Sequence, residues 1–102
     1  MLIYEVNLLV DATVAVAYRA WLREHVAQML ALPGFVSAEV FDVREPAAAD
    51  GVCLCVQYRL RDAQALQDYL RDHAAAMRAD GLVRFGDRFT ATRRILQPSD
   101  AG

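Results

Sequence analysis

The sequence predicts an α+β fold of the ferredoxin-like type, in which a four-stranded antiparallel sheet has two helices on one face. Four segments have the alternating apolar pattern of strands, and two longer ones have the three-and-four spacing of amphipathic helices. Their order is β-α-β-β-α-β, and right-handed crossovers place both helices on the same side of the sheet. The 102 residues provide one core. We therefore expect a single domain over residues 1–97 and a flexible tail over residues 98–102.

The first strand and the first helix come from the N-terminal third of the chain. The strand is predicted over residues 2–10, and the helix from Asp11 or Thr13 to about Leu32. Either side chain can accept a hydrogen bond from a free backbone N–H at the start of a helix. A Pro-Gly pair at residues 33–34 ends the helix. Its predicted apolar stripe consists of Val14, Tyr18, Trp21, Leu22, His25, Met29 and Leu32.

Two further strands form a predicted hairpin. The second strand covers residues 35–44, and its all-apolar alternate set, Val36, Ala38 and Val40, is expected to face the helices. The third strand covers residues 52–60 and has the clearest alternation in the chain. The residues between them contain Pro and Gly, which is typical of a turn or a longer hairpin loop.

The second helix is predicted to begin after Asp62 and to end near Gly81, and a short apolar turn over residues 82–85 follows it. The fourth strand is predicted over residues 88–97, and its pattern leaves open which face points toward the helices. The predicted stripe of the second helix consists of Leu66, Tyr69, Leu70, His73 and Met77.

The sheet face that points away from the helices is the expected surface for self-association. The side chains on this face are together too apolar for an ordinary solvent-exposed surface and too polar for a dry core. Two such faces packed across a two-fold axis would cover the apolar members, so we expect a homodimer. The polar members would line a cavity or a wet interface, because an unpaired buried polar group costs roughly 1–3 kcal/mol. On the two central strands this face consists of Ile3, Glu5, Asn7, Leu9, Cys53, Cys55, Gln57 and Arg59.

Composition excludes several classes of function. The net charge of -2 does not suggest a nucleic-acid or anionic-membrane partner. All eleven basic residues are arginines, which excludes lysine Schiff-base chemistry. No motif for a metal, a cofactor or a nucleotide is present, so none of these is expected. No apolar run reaches the roughly 18 residues that span a bilayer, and no secretory signal is found, so we expect a cytoplasmic protein.

Several segments that together cover nearly the whole chain resemble one known family. They are MLIYEVNLLVD, WLREHVAQMLALPGF, VQYRLRD with ALQDYLRDHA, and RFGDRFTATRRIL. The most specific marks are His25, Met29-Leu30, Gly34-Phe35, Gln57-Tyr58, Phe85-Gly86 and Arg93. With these marks the chain resembles the small bacterial DUF4286 proteins, a family of unknown function. That family is similar to the dimeric α+β barrel superfamily, which includes small monooxygenases that bind aromatic or haem substrates between helices and sheet. The resemblance implies a dimer with a pocket and supplies no established reaction.

The candidate ligand-binding residues are His25, Gln57, Tyr58, His73, Asn7, Trp21 and Arg93. Each histidine lies on a helical stripe, where a neutral core histidine and a ligand contact are both possible. The amide of Gln57 could bridge the dimer interface or contact a ligand. Arg93 is expected to form an ion pair with a carboxylate such as Glu5 or Glu39, and anion binding is the alternative. The two cysteines in C-x-C spacing are expected to be buried free thiols.

Three hypotheses for the function follow. The leading one is a homodimer that binds a small, partly apolar ligand between helices and sheet. The alternatives are a monooxygenase-like enzyme acting on haem or an aromatic substrate, and a structural dimer without a ligand. Haem-degrading members of the superfamily use an Asn on the first strand, a His on the second helix and a Trp on a central strand. Asn7 and His73 correspond to the first two, whereas the third strand offers Tyr58 and Gln57 in place of the Trp.

Overall fold

The computed structural model describes residues 1–102 and confirms the βαββαβ order, with the second helical segment divided in two. The strands are β1 (Leu2–Asp11), β2 (Phe35–Asp42), β3 (Gly51–Leu60) and β4 (Phe89–Leu96). The helices are α1 (Ala15–Leu30), α2 (Ala63–Asp72) and α3 (Ala74–Phe85). Single 3₁₀ turns at Ala12–Val14 and Gly86–Arg88 precede α1 and β4. None of the helices has both the length and the hydropathy needed to cross a membrane.

The four strands form one antiparallel sheet in the order β2-β3-β1-β4, which confirms the predicted fold class. The helix-facing residues of β1 and β3 are opposite one another in register and form the centre of the core. Burying each large apolar side chain contributes roughly 1.5–3 kcal/mol, so this face determines the register of the sheet. The largest fully buried side chains are Tyr18, Tyr58, Met29, Leu54, Leu60, Val10 and Val56.

Aspartate side chains start both helical segments, as the sequence predicts. Asp11 accepts a hydrogen bond from the backbone N–H of Thr13 at 2.8 Å, at the 3₁₀ turn before α1. Asp62 accepts one from the backbone N–H of Ala65 at 2.9 Å, at the start of α2. These bonds satisfy N–H groups that have no partner within a helix.

The prediction that Val36 faces the helices is wrong. A bulge interrupts the pairing of β2 with β3 at this residue, and Val36 is 56% exposed. The preceding residue, Phe35, turns toward the core instead, and its ring centroid is 5.7 Å from that of Tyr58. Beyond the bulge, Ala38 and Val40 keep the predicted face, because they pair with helix-facing residues of β3. An inserted residue exchanges the two faces of a strand, which explains the difference.

The prediction of one continuous second helix is also wrong. His73 has φ −129° and ψ −28°, which separates α2 from α3. α3 then continues through Phe85, where we expected a turn, and ends at Gly86 with φ 54°. Leu70, which we placed on the buried stripe, is 45% exposed. It follows the buried Tyr69 directly, and adjacent helical residues point about 100° apart.

The register between β1 and β4 settles the orientation that the sequence pattern left open. Arg93 lies on the helix-facing side of the sheet and Arg94 on the opposite side. The expected ion pair of Arg93 with Glu5 or Glu39 is therefore wrong. Arg94 donates its Nε to Glu5 at 2.6 Å, and Arg59 donates to Glu39 at 3.2 Å. The parity of a strand assigns neighbouring residues to opposite faces, so an error of one residue changes the partner.

Candidate functional site

A cavity of about 50 Å³ lies between the helices and the sheet. Strands β1, β3 and β4 contribute its floor, and all three helices contribute its walls. We call this cavity the helix–sheet chamber. Its lining is mainly aromatic and aliphatic, and its ring-bearing members are Tyr4, Tyr18, Trp21, His25, Tyr58, Tyr69 and Phe89.

Trp21 connects α1 to α3 at one wall of the chamber. Its Nε1 donates a hydrogen bond to Asp80 at 2.8 Å, and its ring stacks on His25 with centroids 4.6 Å apart. Asp80 also accepts a bond from Arg84 at 3.3 Å. α3 has a glycine at the point of contact, because a Cβ on Gly81 would lie 3.0 Å from the Trp21 ring. The indole is thus held in one orientation by a hydrogen bond and by close packing.

His25 is held in its neutral form beside Trp21. Burial lowers the pKa of its imidazole below the usual 6.5, and the nearby charge of Asp80 only partly opposes this effect. Its Nδ1 is buried and has no hydrogen-bond partner. A neutral imidazole can donate from one ring nitrogen and accept at the other. His25 can therefore hydrogen-bond a ligand or accept a proton from one.

A second polar group, the guanidinium of Arg78, borders the chamber from α3. Its Nη2 donates to the hydroxyl of Tyr4 at 2.9 Å, while its Nε is buried without a partner. The ring of Tyr4 lies 5.5 Å from that of Tyr69 and 6.1 Å from that of Tyr58. Burial raises the pKa of Tyr69 to about 12, although the charges of Arg78 and Arg93 act against it. The Tyr69 phenol is therefore neutral at physiological pH.

The structure brings together four of the seven candidate residues. His25, Trp21, Tyr58 and Arg93 line the helix–sheet chamber. His73 lies at the junction of α2 and α3 and is not part of the lining. The other two candidates, Gln57 and Asn7, lie on the opposite side of the sheet, where both bind Glu5.

The positions of Asn7 and His73 argue against a haem site like that of the haem-degrading enzymes. Asn7 pairs with Cys55 and Thr92, so its side chain is on the sheet face away from the helices. His73 is in the helical layer. Within one subunit the sheet therefore separates Asn7 and His73, the two residues compared with the Asn and the His of the haem-degrading enzymes.

Arg78 is the main chamber residue that the sequence analysis missed. It was overlooked because charged helical residues are usually exposed. The spacing contains a signal: Ala74, Arg78 and Gly81 follow steps of four and three, and both Ala74 and Gly81 are buried. A charged residue between two small buried residues on one helical stripe indicates an inward-pointing guanidinium.

The open face of the sheet contains Glu5, a buried carboxylate that is 3% exposed. It accepts hydrogen bonds from Asn7 at 2.9 Å, from Gln57 at 3.0 Å and from Arg94 at 2.6 Å. Burial alone would raise its pKa, but these three donors outweigh burial and lower the pKa to about 2.

Burial and the adjacent Glu5 charge raise the pKa of the Cys55 thiol to about 11. The thiol is therefore protonated at physiological pH and a poor nucleophile.

Apolar side chains surround this cluster on the same face. Leu9 is 48% exposed and Phe41 is 40% exposed. Both point away from the helices, since each pairs with an open-face cysteine of β3. No group of three or more His, Cys, Asp or Glu side chains could hold a metal ion here or elsewhere in the chain.

Comparison with known families and curated proteins gives a family and no activity. A family model described as a domain of unknown function, DUF4286, matches residues 1–99. No curated protein matches the chain.

Solved structures similar to this chain share its fold at low sequence identity. A candidate antibiotic biosynthesis monooxygenase from Deinococcus radiodurans superposes with a TM-score of 0.74 at 14% identity, covering 98% of this chain and 94% of that one. SnoaB, a cofactor-independent oxygenase from Streptomyces nogalater, superposes with a TM-score of 0.67 at 16% identity, covering 97% of this chain and 94% of SnoaB. Rv0793 from Mycobacterium tuberculosis superposes with a TM-score of 0.64 at 23% identity, covering 98% of this chain and 97% of Rv0793.

Proposed function

The chain belongs to the DUF4286 family of unknown function, and on that premise we propose that it binds a small, largely apolar ligand in the helix–sheet chamber. One observation supports this most directly: His25 Nδ1 and Arg78 Nε are both buried without partners, on residues that line the same cavity. Leaving a buried polar group unpaired costs about 1–3 kcal/mol. A ligand that hydrogen-bonds to both groups would remove that cost.

The volume of the chamber limits the size of the ligand. A buried water needs about 10–15 Å³ by this kind of measure, and sites for drug-sized ligands measure about 300–1,000 Å³. A cavity of about 50 Å³ holds a few waters' worth of space and is smaller than the roughly 150 Å³ that accommodates a benzene ring, so a one-ring ligand enters only if the walls move. Met29 and Met77 form part of the wall, and their flexible side chains can move to admit it.

Fluorescence of Trp21 tests this proposal, because it is the only tryptophan in the chain and lies in the chamber wall. We expect some single-ring compounds to change its emission with saturable binding. Ala91→Phe places a ring in the chamber and should abolish that binding, whereas Ala75→Phe, at an exposed position of α3, should not. Equal binding to both variants, or no binding by any compound to the unmodified protein, would contradict the proposal. The second result would favour a structural dimer without a ligand.

A monooxygenase-like enzyme is the second candidate, and neutral His25 is the observation that favours it. A catalytic base must be unprotonated near pH 7 and must face the substrate cavity. His25 meets the first condition through burial and lies in the chamber lining. SnoaB, which shares the fold, is described as a cofactor-independent oxygenase. If the chain is an oxygenase, phenolic compounds will cause oxygen uptake that His25→Asn abolishes and His73→Asn retains. Equal uptake by both variants would contradict a role for His25.

We also propose that two copies associate through the open sheet face, as in a dimeric α+β barrel. The half-exposed apolar side chains of Leu9 and Phe41 support this arrangement, because a second copy would remove them from water. The three hydrogen bonds that Glu5 accepts keep its charge paired when this face is covered.

The free thiols of Cys53 and Cys55 are consistent with a reducing compartment, and we propose the cytoplasm of a bacterium.

A further inference from the structure

We infer that the ligand of the helix–sheet chamber is a small carboxylate anion, bound through Arg78 and Arg93; this inference rests on the proposed ligand-binding function. It concerns the charge of the ligand, which neither the family nor the fold specifies. Its basis is an imbalance between cations and anions at the chamber.

Arg78 has unused donor capacity inside the protein. Its guanidinium donates one hydrogen bond, from Nη2 to the Tyr4 hydroxyl, and its Nε is buried with no partner. It forms no ion pair, whereas Arg84 on the same helix is paired with Asp80. A guanidinium presents N–H groups in a planar fork that matches the two oxygens of a carboxylate. The unpartnered Nε belongs to that fork.

Arg93 places a second unpaired cation at the same chamber. It belongs to β4, on the helix-facing side, and forms no ion pair. Arg78 from α3 and Arg93 from β4 both line this one cavity. Arg93 is an exposed residue that also lines the chamber, so its charge can attract an anion from solvent to the site.

No acidic side chain balances these two charges within the chamber. Its lining contains two arginines and a histidine but no Asp or Glu. Asp80, which contacts the wall residue Trp21, is already bound by Trp21 and Arg84. An anion is therefore the complement that the chamber lacks, and the aromatic lining suits a ring or a short hydrocarbon attached to it. The unpartnered Nδ1 of His25 can hydrogen-bond a further polar atom of the ligand.

Benzoate and benzamide separate charge from shape, because they have nearly the same size and differ in the charge of one substituent. Each is titrated at pH 7 into the full-length protein while the indole N–H signal of Trp21 is followed by NMR. We expect benzoate to bind about tenfold more tightly than benzamide or better, which corresponds to one charge-assisted contact. Arg78→Gln should remove most of that preference and leave benzamide binding within about twofold.

Two further variants make the outcome unambiguous. Arg93→Gln, at an exposed position where folding is not at risk, should also weaken benzoate selectively. Arg71→Gln removes the same charge from an exposed site on α2 that is paired only with Asp68 and Asp72, and should change nothing. Equal affinity for both compounds, or equal loss of both in Arg78→Gln and Arg93→Gln, would overturn the anion inference while leaving a ligand site in place. Failure of both compounds to shift the Trp21 signal would instead reject the chamber as a site for one-ring ligands.

Discussion

Glu5 is a buried carboxylate on the open face of the sheet, and its three hydrogen-bond donors hold it ionised. Its pKa of about 2 lies below the usual 4.5, so the folded state releases this proton more readily than the unfolded chain. The resulting stabilisation is complete above about pH 4.5 and is lost as the pH falls toward 2. We expect Glu5→Gln to lower the free energy of unfolding by about 2 kcal/mol at pH 7, because Arg94 loses its ionic partner. Chemical denaturation at pH 7 and pH 3 measures the difference.

Glu24→Gln is the matched control for Glu5→Gln, since Glu24 is exposed on α1. It should change the free energy of unfolding by no more than about 0.5 kcal/mol at either pH. The difference in the free energy of unfolding between the unmodified protein and Glu5→Gln should be smaller at pH 3 than at pH 7. A gap that stays constant between the two pH values would contradict the role assigned to the Glu5 charge.

His25 gives a pH dependence in a different window. Its folded-state pKa is lowered, so the unfolded chain takes up the proton first as the pH falls. Stability is therefore complete above about pH 6.5 and declines below it, in the direction expected for a base buried in its neutral form. NMR titration should assign to His25 the imidazole signal that is missing in His25→Gln, with a midpoint below 6.5. A midpoint above 6.5 would show that the imidazole is not buried as the structure has it.

At the scale of elements, the connection from α1 to β2 packs tightly against the start of α2. Gly34 has φ 84°, and a Cβ built on it would overlap the Cβ of Ala65. We expect Gly34→Ala to destabilise the fold by about 3 kcal/mol, from backbone strain together with steric overlap. In a double-mutant cycle, Ala65→Gly should recover at least about 1 kcal/mol of that loss. Equilibrium unfolding of the four proteins measures this coupling.

Gly86 provides the control for that cycle, because it also has positive φ but no heavy atom within 4 Å of a built Cβ. Gly86→Ala should be destabilised by backbone strain alone, about 1–3 kcal/mol, and should show no coupling with Ala65→Gly. Coupling of the same size at both glycines would mean that contact with α2 is not the cause.

The order and type of the elements could be predicted because each has a local signal. Alternation defined the central strands, and Asp11 and Asp62 marked the starts of the helical segments. The bulge at Val36 and the break at His73 could not be predicted in the same way. Both depend on how an element meets its neighbours, and neither segment contains a Gly or Pro at the irregular residue.

At the scale of the whole molecule, the candidate site was only partly predictable. His25 and Trp21 share a helical stripe, so their proximity follows from local spacing. The contact of Arg78 with Tyr4 joins residues 74 positions apart, and the facing of Arg93 depends on the register of β4 with β1. Such long-range contacts follow from the assembled fold rather than from any one segment. This is why the sequence indicated His25 and Trp21 as candidate residues and missed Arg78.

The proposed dimer leads to a prediction about the open sheet face. Leu9 lies on central strand β1 of this face, so Leu9→Arg would place two buried charges across the two-fold axis. We expect light scattering to give a dimer for the unmodified protein and a monomer for Leu9→Arg. Val83→Arg, at a position on α3 that is 85% exposed, should remain a dimer. An unmodified protein of 11.4 kDa at micromolar concentration would contradict the proposed association.

Native mass spectrometry of protein purified from the organism that makes it shows whether the helix–sheet chamber holds a ligand. We predict a particle of two chains, each of 11.4 kDa, with an additional small mass that is lost on denaturation and is absent from Ala91→Phe. If both proteins show only the mass of their own polypeptide chains, with no small molecule retained, the chamber is not an occupied ligand site.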